Sequence, residues 1–335
     1  MIKIKRIGYL YEKICNRGNI RTAHKMASKG KRHYGEVKDV EKDLDNKLEN
    51  IKKMLEEETY TLTEKDYTLE IINDKGKERE LYKLEYYPHR IIQWSIMNVI
   101  MPIFMKNYST KTYASLKGRG IHLAVKNIRK ALRHEVENTQ YCYKIDVKKF
   151  YSNINNKILM KKLERKFKDK KLLNLFRVII FSLGNKGLPI GSLLSQYLAN
   201  FYLSSFDHYC KEVLKLKNYY RYMDDIIVLE SNKEKLHKIN KKFHYILKNK
   251  FDLEIKDNWQ IFPVGDRGID FVGYRMFRDT TILRKRIYLK ARYIFSRPFK
   301  HRAIPSYYGW CKHANVKQFM YKHNVFKKMG KQQGG

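Results

Sequence analysis

Between residues 37 and 58, apolar side chains recur at steps of three and four among charges, at Val40, Leu44, Leu48, Ile51 and Leu55. That spacing predicts one amphipathic packing helix. Two β-forming runs, 67–72 and 79–84, flank Asn73-Asp74-Lys75-Gly76, whose composition suits the turn of a β-hairpin, read as a projecting basic hairpin. Segments 90–104 and 121–132 read as helices on either side of a polar, Tyr-containing loop at 106–120. Further on, strand and helix alternate: 141–146 is a buried strand, 191–209 a long helix, and 219–229 two short strands pivoting on an acidic pair. Such runs predict an α+β fold, with an antiparallel sheet and helices packed on one face. No internal repeats or low-complexity tracts interrupt the pattern.

Charge changes this picture. The chain carries 71 Lys and Arg against 34 Asp and Glu, a formal charge of +37 in 335 residues. Basic residues run along the whole length, interleaved with 26 Tyr and 16 Phe. This is the make-up of a nucleic-acid partner, with cations for phosphates and rings for bases, rather than of a membrane-surface protein. The most apolar segment, 91–104, is broken by Gln93, Ser95, Asn98 and Pro102, and the start shows no signal peptide, so the expected location is a cytoplasm without membrane contact. Cys15, Cys142, Cys210 and Cys311 lie far apart without CxxC spacing, which argues against a disulfide framework or zinc knuckle. From Thr280 onward there are 14 Lys and Arg and no Asp or Glu. Ile287, Leu289, Ile294, Phe295, Tyr307, Tyr308 and Trp310 supply that segment with a core, and it is expected to be a separate, mostly helical clamp on a phosphate backbone.

The candidate chemistry lies in two acidic sites. Asp224 and Asp225 follow Tyr222-Met223 and precede Ile226-Ile227-Val228-Leu229, so two adjacent carboxylates stand at a hairpin turn, where a cation would relieve their repulsion. Asp146 closes the otherwise apolar run Tyr141–Asp146. Together these acids can place oxygen ligands on two metals roughly 3.5 to 4 Å apart, the arrangement for in-line phosphoryl transfer. Carboxylates favour Mg²⁺ or Mn²⁺.

With these residues in view, the chain resembles the reverse transcriptases, whose blocks stand here in family order from Arg79 to Lys312. Tyr222 to Asp225 resembles the palm turn, and Asp146 to Tyr151 the first metal-binding block. The stretch Gly187-Leu188-Pro189-Ile190-Gly191-Ser192-Leu193-Leu194-Ser195-Gln196 resembles the helix block, and Gly268-Ile269-Asp270-Phe271-Val272-Gly273-Tyr274 the primer-grip hairpin. The resemblance implies a right-hand polymerase fold. Residues 1–60 would be an N-terminal helical extension and 61–140 the fingers, with 152–185 shared between fingers and palm. Residues 141–279 would be the palm and 280–335 the basic helical thumb.

It also implies roles. Asp146, Asp224, Asp225 and the backbone carbonyl of Val147 would hold two Mg²⁺ or Mn²⁺ ions, with dNTPs as substrates. Tyr151 matches the aromatic gate that crowds a ribose 2′ hydroxyl. Lys149 and Phe150 would offer backbone N–H groups to the triphosphate, and Gly191 a close backbone approach beside the nucleotide. Arg79 matches the triphosphate-clamping arginine, with Lys77 beside it. Ile190 and Gln196 belong to the nucleotide pocket, and Lys256 stands where the family has a basic residue near the leaving pyrophosphate. Phe271, Val272, Gly273 and Tyr274 would grip the primer, while Arg284, Lys285, Arg286, Lys290 and Arg292 would follow the nucleic-acid backbone.

Ile190-Gly191 and Ser195-Gln196 depart from the usual Gln-Gly and Ser-Pro. These departures, with Asn258-Trp259-Gln260 and the run from Ser306 to His313, resemble the reverse transcriptases of diversity-generating retroelements. The compact length fits, with no room expected for an endonuclease, RNase H or maturation domain. Members of that branch copy a template-repeat RNA into cDNA with frequent errors at adenines, in prokaryotes or phages, and work with a basic pentameric accessory variability protein. Here Ile190 would remove a polar side chain from the nucleotide pocket and lower selectivity. The alternatives are a compact reverse transcriptase of retron, intron or defence type, or a non-catalytic RNA-binding scaffold.

Overall fold

A computed structural model describes residues 6–74, 77–297 and 302–333. Its elements group into two compact units, each drawn from three stretches of chain.

The first unit comprises residues 1–109, 147–209 and 245–254. Its N-terminal part is helical. The stripe predicted as one helix over 37–58 forms two, Gly35–Lys42 and Leu44–Glu56, because Asp43 leaves helical geometry (φ −136°, ψ 49°). The break lets Val37 and Val40 bury along one direction and Leu48, Ile51 and Leu55 along another. The Ile91–Asn107 helix runs through the centre, where Phe104 stacks on Phe201 at 4.8 Å between ring centroids. Its polar interruptions are structural. Ser95 Oγ donates to Ile14 O at 2.6 Å and Asn19 Nδ2 to Ser95 O at 3.1 Å, tying the N-terminal helices to this one. The predicted hairpin is present as β1 (Tyr67–Asp74) and β2 (Lys77–Leu84), paired antiparallel with Ile72 opposite Arg79. Residues 75 and 76 of its turn, and the Lys77 side chain, lie outside the described residues. The predicted long helix spans Leu193–His208, with Ser192 capping its first turn.

The second unit comprises residues 110–146, 210–244 and 255–335. Its main sheet contains β3 (Tyr141–Asp146), β4 (Asn218–Tyr222), β5 (Asp225–Glu230) and β6 (Gln260–Pro263), all antiparallel, in the order β4-β5-β3-β6. Side chains alternate across the sheet. Tyr143 and Ile145 of β3 point to one face, where Tyr143 donates its hydroxyl hydrogen to Asn240 Oδ1 at 2.7 Å and its ring meets Phe243 of the Lys233–Phe251 helix. Lys144 and Asp146 belong to the other face. At the sheet's edge, the backbone of β4 is covered by the loop read as polar: Arg221 N donates to Lys111 O, and Tyr113 N to Arg221 O, both at 3.0 Å. Tyr113 of that loop is fully buried.

A three-stranded sheet follows, β7 (Ile269–Phe271), β8 (Tyr274–Met276) and β9 (Thr281–Leu283). The last strand precedes the helices of the segment expected to be mostly helical, and its Thr281 and Leu283 alternate inward to complete the sheet. The helices Lys285–Phe295 and Ile304–Cys311 then pack into the same core through Ala291, Ile294, Phe295, Ile304 and Cys311. Cys311 is thus a core thiol, and His313 stacks on His122 at 3.9 Å. Among the described residues, no helix is long and apolar enough to cross a membrane.

Candidate active site

In the second unit, register brings the acids together. Asp146, last residue of β3, is the direct antiparallel partner of Asp225, first residue of β5. Because Tyr222 pairs with Asp225, Met223 and Asp224 form the whole turn between β4 and β5. Met223 takes a left-handed backbone (φ 58°), uncommon for a side chain of that size. The turn is held from inside: the guanidinium of Arg221, 0% exposed, donates from Nη1 to Met223 O at 2.9 Å. Sequence reading missed Arg221. Its signal was a lone cation inside the apolar run Tyr219 to Met223, a position a charge occupies only when it has a fixed partner.

The electrostatics follow from crowding. Burial, then Asp146 and Asp225, push the Asp224 carboxyl up to about 7. Asp225 is raised as well, chiefly by burial, with Asp146 adding to the shift while Lys144, Arg284 and Lys256 oppose it. Lys256 reaches this centre directly. Its Nζ donates to Asp146 Oδ1, and its backbone N donates to Asp146 O at 2.9 Å. It follows an isolated bridge residue rather than standing at a strand edge. Lys144 Nζ donates to Asp270 O at 2.7 Å, and Asp270 in turn pairs with Arg284. Among the described residues, no group of three or more His, Cys, Asp or Glu is arranged to hold a metal ion, and an Asp146 oxygen is occupied by the Lys256 ammonium. The donor set still fits a hard divalent cation, since it is all oxygen and half-buried, with the pKa of Asp224 raised by burial and then by the neighbouring carboxylates. Val147, fully buried, is the first residue of the other unit's middle stretch.

The hairpin that resembles a primer grip belongs to this second unit. Val272 and Gly273 turn between β7 and β8 with φ of 44° and 92°. A Cβ on Gly273 would lie 2.6 Å from Trp310 Cζ3 and 2.8 Å from Ile287 Cδ1, so only glycine lets the turn seat against the helices that follow. Tyr274 Oη donates to Trp310 O at 2.9 Å. Phe271 and Tyr274 are core residues, with Val272 buried between them. Lys285, Arg286, Lys290 and Arg292 are exposed on the Lys285–Phe295 helix, whereas Arg284 is engaged by Asp270.

The first unit gathers another set. Tyr82 N donates to Ile190 O at 2.9 Å, and Leu188 N to Tyr151 O at 3.0 Å, so the 184–191 loop joins Tyr151 to β2. Arg79 lies on β2 two residues before Leu81, hence on the same strand face. Gly191 (φ 118°) makes its close approach to the hairpin rather than to open space: an added Cβ would lie 2.9 Å from Leu81 Cδ1 and 3.0 Å from Tyr82 O. Lys149 is exposed with a left-handed backbone (φ 44°) ahead of the short Phe150–Asn153 helix, and the Phe150 side chain is buried. Gln196 is half-buried in the first turns of the Leu193–His208 helix. Gln93 is a second residue that sequence reading passed over. Ser192 Oγ donates to its Oε1 at 2.7 Å, while its buried Nε2 has no hydrogen-bond partner.

Residues 72–276 match the family model described as reverse transcriptase (RNA-dependent DNA polymerase). The chain belongs to the reverse transcriptase family. Its fold is the α+β right-hand polymerase fold, as similarity to two solved structures shows. One is telomerase from Candida albicans in complex with a fragment of telomeric RNA (TM-score 0.50, 12% identity, covering 69% of this chain and 50% of that one). The other is apo telomerase from Candida tropicalis (TM-score 0.50, 13% identity, 76% and 53%). Protein YkfC of Escherichia coli is 21% identical over an alignment of 231 residues that covers 56% of this reverse transcriptase and 61% of YkfC. The chain thus spans about three fifths of that relative's length and about half that of the telomerases.

Proposed function

We propose that this reverse transcriptase is an RNA-directed DNA polymerase that copies a retroelement template-repeat RNA into cDNA by two-metal nucleotidyl transfer, with errors concentrated at template adenines. The observation that supports it most is the register pairing Asp146 with Asp225 while Asp224 stands in the adjoining turn. In this reading, Asp146, Asp224, Asp225 and the Val147 carbonyl hold two Mg²⁺ or Mn²⁺ ions. Bound there, the ions supply a lowered pKa at the primer 3′ hydroxyl and charge neutralisation on the departing pyrophosphate.

The chain's own residues bind and orient. Arg79, with Lys77 and the backbone N–H groups of Lys149 and Phe150, takes the triphosphate. Tyr151 excludes a ribose 2′ hydroxyl. Ile190, Gly191 and Gln196 border the nucleotide, and Gln93 adds a buried amide with a donor to spare. Lys256 protonates the leaving pyrophosphate. Phe271 to Tyr274 hold the primer, and Arg284, Lys285, Arg286, Lys290 and Arg292 follow the RNA/cDNA duplex. Residues 61–140 act as fingers with a share of 152–185, 141–279 as palm and 280–335 as thumb, behind an N-terminal extension.

The diversity-generating branch is supported by Ile190-Gly191 and Ser195-Gln196, and it brings a basic pentameric accessory protein as partner. Primer extension on an adenine-containing RNA template, comparing wild type with Asp224→Asn and sequencing the cDNA, tests both levels. Metal-dependent cDNA lost in the variant and altered at template adenines is expected. Faithful cDNA would remove the mutagenic branch and leave a compact reverse transcriptase of another kind. No cDNA, even with native RNA and accessory protein, would refute the polymerase reading.

A further inference from the structure

A second cluster of cations stands in the first unit, apart from every residue given a role above. The Asn156–Lys166 helix contributes Lys161, Lys162 and Arg165, and the C-terminal end of the Lys233–Phe251 helix contributes Lys250. They line a cavity of about 360 Å³ whose lining includes no carboxylate. Its apolar part is made by the buried rings of Phe206 and Phe251. A surface run of lysines is ordinarily a solvated face, but here one amine is fixed in place. Lys162 Nζ donates to Tyr202 O at 2.8 Å and to Ser205 Oγ at 2.6 Å, and lies 4.1 Å from the centroid of the Phe251 ring. An ammonium has three N–H donors, so one remains for a ligand. Burial draws this amine down to about 7, with the neighbouring charge of Arg165 adding to the shift and Asp207 opposing it.

We infer that this cavity is a binding site for a phosphomonoester of nucleotide size, either a free nucleotide or the 5′-phosphorylated end of an RNA. Converging lysines and an arginine fork match a phosphate dianion. Aromatic walls suit an attached ring, and the volume is at the small end of ligand pockets, roughly 300 to 1,000 Å³, which excludes a duplex. The inference does not depend on the polymerase reading.

Pyridoxal 5′-phosphate is the probe. Its phosphate would dock among the cations while its aldehyde condenses with a lysine amine, releasing water. Borohydride then delivers hydride to the C=N bond and leaves a stable secondary amine. On the full chain without metal, peptide mapping should find the tag on Lys161 or Lys162 about tenfold above that left by phosphate-free pyridoxal. Inorganic phosphate and AMP should suppress it, and Arg165→Ala and Lys250→Ala should each erase the preference. The paired variant Lys238→Ala/Lys241→Ala, which removes two exposed cations elsewhere, should leave it unchanged. Competition by a 5′-phosphorylated but not a 5′-hydroxyl dinucleotide would identify an RNA end as the ligand, and competition by AMP alone a free nucleotide. Equal tagging by pyridoxal, tags spread evenly over surface lysines, or indifference to Arg165→Ala would overturn the inference.

Discussion

Replacing Arg221 by Met tests how the acidic turn is held. The guanidinium is fully buried and donates to Met223 O at 2.9 Å, the carbonyl of the residue before Asp224. Losing a hydrogen bond from a charged donor costs about 1.5–3 kcal/mol. The left-handed residue it supports carries roughly 1–3 kcal/mol of strain that persists only while its surroundings enforce it. Arg221→Met should therefore lower the urea-unfolding free energy by about 3 kcal/mol, and primer extension at a temperature where the variant is folded should fall, because Asp224 loses its fixed position. Stability alone would not single out the turn, so the informative measurement is a double-mutant cycle with Met223→Gly. Glycine adopts φ 58° freely and no longer needs the clamp. By itself Met223→Gly also removes a buried side chain, an effect common to both halves of the cycle. The two changes should couple by about 1 kcal/mol, the glycine costing less once Arg221 is gone. Additivity within about 0.4 kcal/mol, with activity independent of Arg221, would refute the clamp.

Three further outcomes are expected. Gly191→Ala should lower stability by about 2–4 kcal/mol in chemical unfolding, since its Cβ meets Leu81 and the Tyr82 carbonyl at a backbone φ of 118°. Tyr151→Ala should reduce discrimination against ribonucleotides by roughly 10- to 100-fold in competitive single-nucleotide incorporation. Burial lowers Lys162 to about 7, so between that value and the ordinary lysine range the unfolded chain holds the extra proton and stability rises with pH. Lys162→Met should accordingly stabilise the protein near pH 6, and the gain should shrink by at most ~1.4 kcal/mol per pH unit between about pH 7 and 10, less where solvent screens the amine.

Much of the architecture was legible because it follows from short-range chemistry. The hairpin of β1 and β2, the strand Tyr141–Asp146 and the helix from Leu193 lie close to where alternation, turn residues and helical spacing put them. What escaped depends on partners distant in the chain. A continuous apolar stripe could not announce the break at Asp43, and a polar loop could not announce that Tyr113 would be buried against β4. The three aspartates were readable as residues, and their meeting required a register. Arg221 and Gln93 were missed because each reads as an interruption until its partner is in view: the Met223 carbonyl for one, Ser192 for the other. Gly191 was recognised as a place of close approach, but what approaches it is β2, not visible in the local run.

The loop from Lys111 to Tyr113 has a reach beyond its size. It bonds both backbone groups of Arg221 on the outer side of β4, covering the strand one residue before it enters the acidic turn. In an antiparallel sheet, displacement by a single residue turns every side chain to the opposite face. Asp146 and Asp225 would then no longer meet, although no acid had been altered and the sheet would contain as many hydrogen bonds as before. Whether these two acids face each other is in that sense a matter of counting along the strands.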